Sequence, residues 1–133
     1  MALIETFECT ISRHPSAAHG ARDAVGSELE RLGCAAWVPA AQLAVTELVE
    51  NVVAHTDCRG CRMIVSASDE RVRVAIVDCE PDEVARNLPG GIGSLQPGLG
   101  LRIVEAMTDE WGCDADLFHK TVWFEFRRPA VHG

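Results

Sequence analysis

The chain has no basic excess, no apolar run of membrane-spanning length, no internal repeat and no second CxxC pair. Lys and Arg number 12 against 20 Asp and Glu, a formal net charge of −8. A surface that tracks phosphates needs basic residues gathered on one face. Here they are scattered, with only Arg127 and Arg128 adjacent, so nucleic acid is not an expected partner. A bilayer-spanning helix needs about 20 consecutive apolar residues, and none occur, so no membrane association is expected. Glu5 and Glu8 interrupt the N-terminal segment too early for a signal peptide, and the cytoplasm is the expected location. Cys58 and Cys61 in "DCRGC" have the spacing of a zinc or redox half-site, which His55 extends to H-x-x-C-x-x-C. A structural zinc site needs a second such pair. Reduced thiols, with neither zinc nor disulfide, are therefore expected, and a redox or zinc switch is the weaker alternative. Cys9 and Cys34 sit among apolar neighbours and read as small hydrophobes.

What remains is a strongly patterned chain. Its 133 residues read as one domain, residues 1–133, able to hide roughly two-thirds of the unfolded surface. "LIETFECTI" alternates as a half-buried strand over about 3–11. Pro15-Ser16 opens a helix that Gly33 ends, and Pro39 stands at the start of a second, where its missing N–H costs nothing. "CRMIVSAS" and "RVRVAIVD" form a hairpin across 68–70. The pattern then dissolves into a loop at about 79–97, long enough to suggest function. A helix over about 98–110 carries Leu101, Val104, Met107 and Trp111 on one stripe. The strands "WGCDADLF" and "TVWFEFR" follow, joined at His119-Lys120. Strands adjacent in hairpins predict an α+β fold: a two-layer α/β sandwich with a mixed, mostly antiparallel sheet and three helices on one face.

The second helix carries the most informative stretch, "AAQLAVTELVENVVAHTD" at 40–57. At about 100° per residue, Ala41, Val45, Leu48, Val49, Val52 and Val53 fill an arc facing the sheet. Glu47, Asn51 and His55 run along the border of that arc. An Asn amide oxygen is a hard, neutral ligand that can complete the shell of a phosphate-bound Mg²⁺. A carboxylate one turn earlier can take a proton from a hydroxyl nucleophile. The plain alternative is the polar edge of an amphipathic helix. Two further pieces are "PGLGLRIVEAM", whose glycines let backbone N–H groups approach an anion at a helix start, and Asp78, a carboxylate at a strand end. Either alone has an ordinary structural explanation.

Taken in order, these pieces resemble the GHKL ATPase superfamily (the Bergerat ATP-binding fold), and within it the stand-alone bacterial anti-sigma factors that are protein-serine kinases. "TELVENVVAH" is similar to that family's N box, and "GLGLRIVEAMTDEWG" to the glycine segment closing its ATP lid, here about 79–97. The resemblance implies Glu47 as general base and Asn51 as Mg²⁺ ligand. It also implies Asp78 as reader of the adenine amine, Gly98 and Gly100 as phosphate binders, and Thr121 as a hydroxyl supporting adenine. His55 would orient rather than react. ATP and Mg²⁺ are the implied cofactors. A sigma factor or an anti-sigma-antagonist protein is the implied partner, with dimerisation of the chain common in the family. One box departs: where the family has Asp-x-Gly-x-Gly, this chain reads "DCEPDE", and Glu80, Asp82 and Glu83 add negative charge. Two classes therefore stand: a serine kinase that also sequesters a sigma factor, and a non-catalytic protein-binding regulator on a degenerate ATPase fold.

Overall fold

The structure, a computed structural model, describes residues 4–79 and 99–129. Among them the order is β1 (Glu5–Ser12), α1 (Ala17–Arg31), a 3-10 turn at Ala35–Trp37, α2 (Val38–His55), β2 (Gly60–Ala67), β3 (Arg71–Asp78), α3 (Leu99–Met107), β4 (Glu110–Ala115) and β5 (Lys120–Arg127). The five strands make one sheet in the order β1-β2-β3-β5-β4, and every neighbouring pair is antiparallel. The last strand in the chain thus inserts beside β3, placing the start of β5 next to the end of β3. Gly33, at φ +77°, turns the chain out of α1 as expected.

Strand parity builds the core. Met63 and Val65, then Val72, Val74 and Ile76, then Val122, Phe124 and Phe126 all point to one face and are buried. Against that face α2 packs between α1 and α3, contributing Val45, Leu48 and Val49. The expected α+β sandwich is what the chain forms. Three details differ. Val53, expected in the sheet-facing arc, is 36% exposed, because the last turn of α2 extends past the helix's packed face and its carbonyl instead accepts from Arg13. The third helix ends at Met107, which is 42% exposed. The Thr108 hydroxyl donates back to the Val104 carbonyl at 2.7 Å, and Asp109 N–H turns to the Glu125 carbonyl at 2.9 Å. Trp111 therefore packs on the core from β4, not from the helix. Finally, β4 stops at Ala115, because the Asp116 carboxylate accepts the N–H groups of Phe118 and His119 and folds a turn; those bonds hold its pKa below the usual range.

Among the described residues no helix covers the other sheet face. There Trp123 lies across Gly112, where an added Cβ would come within 2.5 Å of the indole. The Arg73 guanidinium stacks on the same ring at 3.9 Å. Glu125, 2% exposed, is held between Arg71 at 3.3 Å and Arg73 at 2.6 Å.

Candidate functional site

The site is built where α2, the end of β3 and the start of β5 meet. Glu47 and Asn51 stand one turn apart on α2, both half-buried, while His55 on the last turn is exposed. That end of α2 is firmly tied down. The Arg13 guanidinium donates to the carbonyls of Val53, Thr56 and Cys58 at 2.7, 2.9 and 3.2 Å. The buried Thr56 hydroxyl donates to the Val52 carbonyl at 2.7 Å and accepts the Cys58 N–H at 3.2 Å.

Asp78 shares the parity of Val72, Val74 and Ile76, so its carboxylate points to the helix side and is 3% exposed. Lys120, its partner in register on β5, places Nζ 3.4 Å from Asp78 Oδ2, and the lysine side chain is only 12% exposed. Asn51, Asp78 and Lys120 line one narrow cleft of about 20 Å³, walled by Leu48, Val52, Ile76, Leu101 and Val122. The structure therefore brings Asn51 and Asp78 together from segments 27 positions apart in the chain. Glu47 is not among the residues lining this cleft, but lies next to it along the helix edge. Gly100 is the second residue of α3, whose Leu101 closes the cleft. Gly98, and the expected lid beyond Cys79, lie outside the described residues.

Thr121 does not join the group. It pairs in register with Val77, which pairs with Arg62 and through it with Thr10. Opposed residues of antiparallel strands share a face, so Thr121 stands on the uncovered side of the sheet and Lys120 occupies the place expected of it. The sign was in the strand: if Val122, Phe124 and Phe126 face inward, so does Lys120, and Thr121 cannot.

The cysteines also part from expectation. Cys58 is bonded to Cys79, 21 residues on, with Cα atoms 5.8 Å apart. Cys61, its CxxC neighbour, is the second residue of β2 and turns into the core at 6% exposure. Burial, with the Asp78 carboxylate nearby, pushes its thiol up to about 11, so it stays protonated and unreactive. Among the described residues no three His, Cys, Asp or Glu side chains gather as a metal site.

The donor set suits a nucleotide. A buried carboxylate and ammonium present one acceptor and one donor to a base edge, and the Asn51 amide offers a hard oxygen to a divalent cation. A family model described as a histidine kinase-like ATPase domain matches residues 11–125. The chain belongs to that family. Its match runs from the end of β1 into β5, so it takes in every residue of the cleft. A nucleotide is thus the general class of ligand for this ATPase domain. A solved structure described as the RsbU and RsbW domains of Rv1364c from Mycobacterium tuberculosis shares the fold, with a TM-score of 0.69 at 20% identity. The similarity covers 95% of this chain and 34% of that one, so the ATPase domain spans about a third of the length of that relative. No curated protein matches the chain. No helix among the described residues is long and apolar enough to cross a membrane.

Proposed function

We propose that this histidine kinase-like ATPase domain binds ATP with Mg²⁺ and phosphorylates a serine on an antagonist protein while sequestering a sigma factor, as one domain spanning residues 1–133. The observation that carries the reading is the convergence of Asn51 and Asp78 on a single cleft. When bound, ATP·Mg²⁺ supplies the phosphoryl group; the rest falls to the chain. Asp78 accepts an N–H of the base, Asn51 presents its amide oxygen to the cation, and Gly98 and Gly100 are the phosphate binders. Glu47 takes the proton of the incoming serine hydroxyl. The net charge of −8 suits a cytoplasmic protein whose partners are proteins rather than nucleic acid.

Nucleotide titration tests this. Asn51→Ala should weaken ATP binding at least about tenfold in the presence of Mg²⁺ and leave binding in chelator nearly unchanged. Equal loss under both conditions would mean that Asn51 does not meet the cation.

A second reading, a non-catalytic regulator that kept the scaffold, is favoured by one specific contact. The Lys120 ammonium already occupies the Asp78 carboxylate, and the glycines expected after Asp78 are missing. A base amine must compete for that carboxylate against the lysine ammonium 3.4 Å away. Lys120→Thr should therefore tighten ATP binding by about tenfold or more if the cleft is a working nucleotide site. If neither the native chain nor this variant binds ATP at millimolar concentration, the kinase reading fails and the regulator reading stands.

A further inference from the structure

We propose that Cys58 and Cys79 form a reversible dithiol–disulfide site whose oxidation state sets how firmly the Asp78 end of β3 is held to α2. The two sulfurs are differently placed. Cys58 is 2% exposed and sits in the loop that Arg13 and Thr56 tie to the last turn of α2. Cys79 is exposed and directly follows Asp78, the last residue of β3. The crosslink thus joins a loop firmly tied to α2 to the residue beside the cleft's buried carboxylate.

The chemistry follows from that asymmetry. A small-molecule thiolate reaches the exposed Cys79 sulfur, forms a mixed disulfide there, and expels Cys58 as thiolate. The Cys79 N–H, 3.1 Å from the Cys58 sulfur, is placed to donate to that leaving anion and so lowers the cost of expelling it. A second thiolate attacks the outer sulfur of the mixed disulfide and releases Cys79. The balance is two external thiols oxidised to one disulfide and one protein disulfide reduced to two thiols; a low-molecular-weight disulfide such as oxidised glutathione reverses it. Cys61, the nearest alternative partner in sequence, is held out of the exchange by its burial in β2. In the reduced chain the sulfur–sulfur bond is gone, and the Cys79 N–H to sulfur contact is the noncovalent link that remains among the described residues. The paired ends of β3 and β5, which carry Asp78 and Lys120, then lose their covalent tie to the α2 loop.

The test uses the full chain, treated either with oxidised glutathione or with dithiothreitol. After unfolding, alkylation should tag four cysteines in the oxidised form, matching free Cys9, Cys34, Cys61 and Cys113, and all six in the reduced form. Peptide mapping should join Cys58 to Cys79. Reduction of the folded protein should lower Tm by on the order of 10 °C and speed amide exchange at 77–79 and 119–121 by about tenfold or more. Cys79→Ser should reproduce the reduced form and ignore both reagents. A Cys58–Cys61 link, no link at all, or exchange at these amides unchanged by reduction would overturn the proposal, as would a bond that opens only after unfolding. Weaker ATP binding in the reduced form is a further expectation, and it alone rests on the nucleotide reading. A chain that binds no ATP in either form yet shows the exchange difference refutes that reading and keeps this one.

Discussion

Glu47→Ala should leave ATP affinity within about twofold and cut phosphoryl transfer to the antagonist's serine by roughly 10²–10⁴-fold, the usual worth of a positioned general base. Glu47 is half-buried on the border of α2, one turn before Asn51 and outside the cleft that Asn51 and Asp78 line. On the proposed reading, a carboxylate in that place takes the acceptor's proton rather than holding the nucleotide. Its loss should therefore appear in kcat and not in the nucleotide's Kd. The measurement is transfer of labelled phosphate in single turnover, with nucleotide binding followed separately by titration. Glu47→Gln, which keeps the shape and removes the basicity, should behave like the alanine variant. Transfer unchanged in both variants would remove Glu47 from the chemistry. Loss of nucleotide binding in both would make it part of the nucleotide site instead.

The largest effect on stability is expected from Phe124→Ala, at about 3–5 kcal/mol. Phe124 is fully buried on the central part of β5, paired in register with Val74 on one side and Trp111 on the other. Its ring meets Phe126 edge-on with centroids 5.8 Å apart. Removing it leaves a void in the helix-covered core that a closely packed sandwich can collapse only partly. Domains of this kind hold about 5–15 kcal/mol in all, so much of the stability would go. Urea unfolding should show a lower midpoint with an unchanged slope. Leu117→Ala, at a 68% exposed turn position, should move the midpoint by no more than about 0.5 kcal/mol in either direction. A comparable loss in both would mean that the β4–β5 turn, not the core around Phe124, limits stability.

The sequence by itself determined the element order, the helix-covered sheet and the residues that could carry nucleotide chemistry. Those features are local: apolar period along "TELVENVVAH", alternation along "RVRVAIVD", and glycine and proline where helices end or begin. The same local rule was enough to turn Lys120 inward and Thr121 outward, because "KTVWFEF" has a fixed two-residue period. Resemblance drew attention to the hydroxyl, but parity decides which side chain meets Asp78. Where helices stop was less legible, since α3 ends on a Thr108 bond back to Val104 and on β4 docking to β5, and only the second of these lies far along the chain.

Only the tertiary structure decided the pairings beyond the two hairpins, β1 beside β2 and β5 beside β3. Inserting β5 between β3 and β4 puts Lys120 opposite Asp78, and packing α2 over that junction brings Asn51 to the same cleft. It likewise decided the partner of Cys58. Spacing offers Cys61, three residues away, but a strand that buries Cys61 in the core removes it. The end of β3 instead delivers Cys79 to within 5.8 Å, Cα to Cα. Pairing across 21 positions depends on where two backbones finish in space, and no pattern within either segment encodes that.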